Sequence, residues 1–340
     1  MVRAKIHAEK RKRFSNLEYE GDPNEVFAAI HDYLALVGRK DKGENDEAPN
    51  KVPLGLVGGG GWATVNGLAL TAALNQAGYL RGLYAIMCTS NGVNITAYAL
   101  ANQVHQARAF FIRKAIVHRT LNYLPNLLRF RRPANLDHMS RLVSGRLIRG
   151  EQGKRQGRSV AEELHDPASA RSYATVRAEG RKVLDFLKLD EACFTSAGPR
   201  VHATLTDAET GHGVTICIND AKSVVTALSA AIALPLGYPD RVTINGRPVL
   251  DGGFAFSNLP LSPALDALAK DGKTPSAVLA ILNFPSKKEN GGWEKYPAYL
   301  LNRIFQTREV LGTVSEWDRK FEAELRKLRN CGSRVYQYLY

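Results

Sequence analysis

The chain has 340 residues, 44% of them hydrophobic, and a formal net charge of +13. That length supports a sizeable core in one or two domains, and the composition excludes a disordered or fibrous chain. No stretch approaches 18 unbroken apolar residues, so a membrane-spanning helix is not expected.

Residues 1–50 read as an N-terminal extension. Met1 to Phe14 carries Arg3, Lys5, Lys10, Arg11, Lys12 and Arg13 with no apolar run behind them, so a secretory signal is not expected. A helix from Asn24 to Val37 and a polar linker, Gly38 to Asn50, follow. The main domain is expected over residues 51–285. Pro53 to Val57 reads as a short buried strand, Gly58 to Gly61 as a loop, and Val65 to Ala77 as a helix ended by Gly78. Leu83 to Met87 is the next strand and Val93 to about Ala109 the next helix. Apolar strands without alternation, each followed by a helix, predict an α/β domain with a mainly parallel central sheet.

Residues 101–160 hold thirteen Lys and Arg against Asp137 and Glu151, which leaves the other 280 residues near neutral at +2. Within this stretch, segment 107–158 interleaves Phe110, Phe111, Ile116 and Leu124 with arginines and is read as a basic helical segment. Such a segment suits an anionic membrane surface, the apolar residues entering the lipid boundary, or it is a solvated connector over a packed apolar face. No recognised nucleic-acid motif accompanies the charge, so nucleic acid is not an expected partner. Further on, a helix is expected near Ala174 to Leu187. Strands are expected at Arg200 to Leu205 and Gly213 to Ile218, with an Ala-rich helix from Lys222 to Leu234. Val242 to Ile244 and Pro248 to Leu250 flank Asn245-Gly246, a hairpin signal because both turn residues tolerate positive φ. A helix from Pro263 to Lys270 and a buried strand from Ala277 to Asn283 complete the domain. Residues 286–340 are expected to form a mostly helical extension with Trp317 and Phe321 turned inward.

Three pieces carry the candidate chemistry. Ser90, in Thr89-Ser90-Asn91-Gly92, sits between strand and helix, where a nucleophile elbow belongs, and Gly92 is a small neighbour of the kind such a turn needs. The glycine run opens a helix, so the N–H groups of Gly59, Gly60 and Gly61 can face an oxyanion. Asp251, followed by Gly252 and Gly253 where the backbone can approach closely, is the candidate base.

The order of these motifs resembles the patatin-like phospholipase family. The glycine loop comes first, then a helix ending in Ala77-Gly78, Thr89-Ser90-Asn91-Gly92, and Asp251-Gly252-Gly253 with Ser257-Asn258-Leu259-Pro260. Two linking segments agree with it: Ala203-Thr204-Leu205-Thr206-Asp207 with Thr210-Gly211, and Ala230 to Pro235. The likeness covers about residues 52–283. It implies a three-layer α/β/α fold and a Ser–Asp dyad lipid acyl hydrolase, with no cofactor and a phospholipid or other acyl lipid as substrate. Together with the scattered cysteines and the basic segment, the expectation is a cytoplasmic protein with a peripheral membrane contact. The chain departs from the family at Ala63, where the loop usually has Arg or Lys, at Cys88 instead of glycine, and at Asn91 instead of alanine. The alternative is therefore a catalytically weak or inactive lipid-binding or scaffold protein on the same fold.

Other chemistries fit less well. No Gly-Lys-Ser/Thr follows Gly61, which excludes a P-loop, and the glycine spacing and the lack of an acid in residues 79–92 argue against a dinucleotide site. Neither a zinc nor an EF-hand pattern is present. Cys88, Cys193, Cys217 and Cys331 are scattered, which fits reduced thiols in a cytosol. An ordinary triad in the order Ser, acid, His cannot use Asp251, because no histidine follows His212. His202 or His212 with Asp190 or Asp207 remains a further arrangement.

Overall fold

The structure is a computed structural model that describes residues 19–20, 22–40, 49–59, 64–107, 188–195, 198–221, 224–233, 242–283, 314–330 and 334–338. The basic segment beyond residue 107, the expected helix near 174–187 and residues 60–63 lie outside the described residues.

The fold is mixed α/β around a central sheet of mostly parallel strands. Five strands run parallel in the spatial order β9 (Arg334–Tyr338), β8 (Thr274–Ile281), β2 (Lys51–Val57), β3 (Ala85–Thr89) and β4 (Arg200–Asp207). Antiparallel strands lie on either side. Short β1 (Tyr19–Glu20) pairs β9, while β5 (Gly213–Cys217) and β7 (Arg247–Asp251) both pair β4, and β6 (Thr243–Ile244) pairs β7. Unbroken apolar strands are what a sheet covered on both faces requires. Leu54 and Leu56 of β2, Met87 of β3 and Val278 of β8 enter one core. There they meet Leu268 of α6 (Leu261–Lys270) and Leu325 and Leu328 of α7 (Val314–Arg329). Ile86, Val201, Leu205 and Leu279 enter a second core. It is completed by Ile30 of α1 (Pro23–Lys40), Leu68 of α2 (Thr64–Gln76), Tyr98 of α3 (Gly92–Leu100), Phe194 of α4 (Glu191–Thr195) and Leu228 of α5 (Val224–Ala231).

Several elements differ from the sequence reading. Strand β3 starts and ends two residues later than expected, so Thr89 is still in the strand and Ser90 begins the turn. Helix α3 stops at Leu100 rather than near residue 109, because Asn102 adopts a left-handed backbone (φ 58°) that a helix cannot continue through. Asn245 and Gly246 both have positive φ (52° and 78°), the geometry of the expected hairpin turn.

The chain ends contribute more than extensions would. Val26 and Ile30 of α1 are fully buried in the second core. The C-terminal region is not wholly helical. After α7, whose Phe321 packs against the first core, the chain adds β9 in parallel register beside β8. The Trp317 side chain lies outside the described residues. Helix α7 buries Leu325 and Leu328 on one face, while its buried Glu324 accepts hydrogen bonds from the Ser262 N–H (2.7 Å) and Oγ (2.6 Å) at the start of α6. Among the described residues no helix is long and apolar enough to cross a membrane. If α7 is part of the core, Leu328→Ala should lower the unfolding free energy by about 2–4 kcal/mol. Urea denaturation checks this; an unchanged midpoint would mean that α7 packs only loosely on the sheet.

Candidate active site

Ser90 follows β3 directly and has φ 53°, a left-handed backbone that costs a non-glycine residue about 1–3 kcal/mol and persists only where its surroundings enforce it. The enforcement is visible. On the strand side, Thr89 is fully buried and its Oγ1 lies 2.9 Å from Thr204 Oγ1 of β4. On the helix side, the Val93 N–H donates to the Ser90 carbonyl (3.2 Å), closing the turn into α3. A Cβ on Gly92 would lie 2.6 Å from the Gly58 carbonyl oxygen and 2.7 Å from that of Val57, so any larger residue would push the helix off the end of β2.

Asp251 ends β7, opposite Leu205 of β4. Its backbone is fixed on two sides: its N–H donates to the Ala233 carbonyl (2.9 Å), and its carbonyl accepts from Thr206 Oγ1 (2.9 Å). Leu205 and Thr206 of β4 pair β5 along one edge and β7 along the other, and His202 to Thr204 pair β5 and β3 in the same way, so β7 lies on the same edge of β4 as β3, just past its end. Thr89 lies opposite Thr204 and Asp251 opposite Leu205, so the turn at Ser90 and the end of β7 meet along that edge. Gly252 lets the chain after Asp251 pass close against β4, because a Cβ there would collide with the Thr204 backbone and hydroxyl. Thr206 Oγ1 also accepts from the Ala255 N–H (3.0 Å). From α7, Lys320 Nζ donates to the carbonyls of Phe254 (3.3 Å) and Ala255 (3.2 Å).

This placement brings the Ser90 hydroxyl into hydrogen bonding with the buried Asp251 carboxylate, which also accepts the Gly253 N–H at 2.8 Å. Burial pushes the Asp251 carboxyl from its ordinary value of 3.8 up to about 6, against the opposing pull of those two hydrogen bonds. A carboxyl in that range is ionised at neutral pH yet basic enough to take a proton.

Gly59 lies beside the pair. A Cβ there would lie 2.7 Å from Ser90 Cβ and 2.7 Å from Asn258 Oδ1, so only glycine fits. Among the described residues no acceptor engages the buried Gly59 N–H. Gly60 and Gly61 lie outside the described residues.

No family model matches the chain, and no curated protein matches it in sequence. Among solved structures it is similar to VipD from Legionella pneumophila, with 14% sequence identity and a TM-score of 0.36. The match covers 83% of this chain and 56% of that one, so the chain spans a little over half the length of its structural neighbour.

The other candidate acids are engaged elsewhere. Asp190 Oδ1 accepts the Cys193 N–H (3.0 Å) at the start of α4. Asp207 Oδ1 accepts the N–H groups of Glu209 (2.9 Å) and Thr210 (3.0 Å), which hold its carboxyl below its ordinary value. Burial makes the His202 imidazole harder to protonate; its charged neighbours are Arg200, Asp271 and Asp220 at the opposite end of the parallel strands from Ser90. His212 is exposed beyond the β4–β5 turn.

Two residues of this region were not picked out as site residues from the sequence. Asn258 belongs to the Ser257–Pro260 run that was noted only as a motif; its amide lies between Gly59 and Gly253. Asn283, two residues past β8, donates from Nδ2 to the carbonyls of Gly58 (2.7 Å) and Gly59 (3.4 Å). Among the described residues no group of three or more His, Cys, Asp or Glu is placed to hold a metal ion.

Because the folded-state value of Asp251 is raised, the fold is penalised once the carboxyl ionises. Below pH 4 the group is protonated in both folded and unfolded chains and the penalty is absent. It grows as pH rises towards 6 and is constant above that. Asp251→Asn should therefore gain stability relative to the parent by about 2–3 kcal/mol between pH 4 and pH 8. Chemical denaturation at the two pH values measures this, and a constant difference would mean that the carboxyl is not perturbed.

Proposed function

We propose that the chain is a serine-dependent hydrolase of carboxylic esters in lipids, a lipid acyl hydrolase of phospholipase A or lysophospholipase type with a three-layer patatin-like architecture. The observation that carries this reading is the hydrogen bond from a left-handed, turn-borne Ser90 to a buried Asp251 with a raised pKa. Ser90 Oγ attacks the ester carbonyl while Asp251 takes its proton. The N–H groups of Gly59, Gly60 and Gly61 hold the resulting oxyanion. Collapse expels the alcohol, which leaves with the proton from Asp251, and an acyl-Ser90 ester remains. Asp251 then deprotonates a water that attacks this ester, and Ser90 regains its proton as the fatty acid departs. Gly92, Gly252 and Gly253 support the site by permitting the close approaches around it, and the chemistry requires no cofactor.

The substrate is a phospholipid or another acyl lipid in a membrane or aggregate. Segment 107–158, with its excess of arginine, is the proposed contact to an anionic surface. The protein would act in the cytoplasm and bind membranes peripherally.

A fluorophosphonate probe should label the parent chain, and Ser90→Ala should abolish the labelling while leaving the protein folded. Failure to label a folded parent would instead favour the lipid-binding scaffold. In ester hydrolysis, kcat/KM should rise with pH through an apparent pKa of about 6, and Asp251→Asn should cost at least about 100-fold. A flat profile between pH 5 and 8 would remove Asp251 as the base. For the surface contact, sedimentation with vesicles at low salt should show a preference for anionic over zwitterionic lipid. Equal binding to both would remove that assignment.

A further inference from the structure

We infer that Asn283 is a positioning residue that aims the Gly59 N–H at the reacting centre, an inference that rests on the hydrolase reading above. Asn283 follows the apolar run Ala277 to Leu282, at a position where another aliphatic side chain would suit the buried surroundings. Its amide is buried instead, and one end of it is fully used. Nδ2 donates to the Gly58 carbonyl at 2.7 Å and reaches the Gly59 carbonyl at 3.4 Å. The other end is not used: Oδ1 packs tightly against Gly67 of α2 and has no hydrogen-bond partner. A buried acceptor without a partner lowers stability, so packing alone does not account for an asparagine here.

Peptide geometry supplies the reason. Every described peptide bond is trans, so the Gly58 carbonyl and the Gly59 N–H point in opposite directions across one rigid plane. Holding that carbonyl towards Asn283 turns the N–H away from it. Gly59 packs directly on Ser90 Cβ, and its N–H engages no acceptor among the described residues. A glycine has little rotational preference of its own, so without the Asn283 clamp this peptide is free to flip and present its oxygen to the oxyanion instead of its hydrogen. The second, longer contact, to the Gly59 carbonyl, restrains the following peptide in the same way.

Two substitutions separate positioning from packing. Asn283→Leu keeps the size and removes the unpartnered oxygen but leaves the buried Gly58 carbonyl without its donor, so the two effects offset and its thermal midpoint should stay within a few degrees of the parent's. Asn283→Asp keeps the shape but turns an acceptor towards the two carbonyls. With p-nitrophenyl butyrate as substrate, both should lower kcat about 100-fold, the usual effect of losing one oxyanion donor, with KM changed less than threefold. The pH limb near 6 should stay in place, and affinity for a trifluoromethyl ketone inhibitor should fall in parallel with kcat/KM. Hydrogen exchange in a peptide covering residues 52–59 should speed up in both variants. A folded Asn283→Leu protein with parental kcat, or parental exchange in that peptide, overturns the inference. A parent that hydrolyses no ester defeats the hydrolase reading, while the exchange comparison still decides whether Asn283 holds the loop.

Discussion

The left-handed turn at Ser90 is the constraint on which the site depends, and it is held from three directions. Below it, the Thr89–Thr204 hydroxyl contact fixes the end of β3 to β4. Behind it, Gly92 lets α3 start against the last carbonyls of β2. In front of it, Gly59 packs on the serine Cβ. Each neighbour comes from a different strand end, so the strained backbone is a property of the whole sheet. A hydroxyl on an ordinary strand-to-helix loop would have rotational freedom; here its Cβ is boxed in and its oxygen is directed at Asp251. The strain of about 1–3 kcal/mol is small against the burial of two cores and is concentrated at the one position where a fixed hydroxyl is useful.

Asp251 shows the same trade in electrostatic form. Burial raises the carboxyl, and the two hydrogen bonds it accepts bring it only part of the way back. More donors would have made it an ordinary stable carboxylate and a poor base. Its backbone, by contrast, is bonded at both N–H and carbonyl, and the loop beyond it is tied by Thr206 and Lys320. The side chain is kept poised while the main chain is kept rigid. Lys320 comes from α7, so the C-terminal region supports the candidate site by holding the backbone of the loop after Asp251.

How much was legible in the sequence follows from how local each signal is. Apolar runs marked β2, β3 and β8 because strands buried on both faces leave a contiguous pattern, whereas β4 alternates Val201, Ala203 and Leu205 with polar residues. The Asn245-Gly246 turn was readable because two adjacent residues must both accept positive φ. The neighbourhoods of Ser90 and Asp251 were readable because close backbone approach leaves glycines behind. The roles of Asn258 and Asn283 were not, since Asn283 meets Gly58 across 225 positions and in sequence looks like the polar end of a strand. Strand β9 was missed for a similar reason: Arg334 to Tyr338 has mixed polarity, and what makes it a strand is the open edge of β8.

Cys88 bears on which atom would be the nucleophile in the proposed reaction. In the pattern that the sequence resembles, a glycine stands two residues before the serine, where strand and helix approach each other. Here Cys88 is completely buried, its Sγ lies 3.5 Å from Thr96 Oγ1, and that hydroxyl donates to the Gly92 carbonyl at 2.8 Å. The thiol thus fills the space between β3 and the second turn of α3, and Thr96 returns the helix to the turn. The close approach of helix and sheet is at Gly92, where the helix meets β2, so a small side chain at residue 88 is accommodated without opening the elbow. Burial also pushes the Cys88 thiol up to about 12, which keeps it protonated and out of reach of substrate. A cysteine two residues from the serine therefore does not compete with it, and in the proposed reaction the proton that Asp251 accepts is that of Ser90.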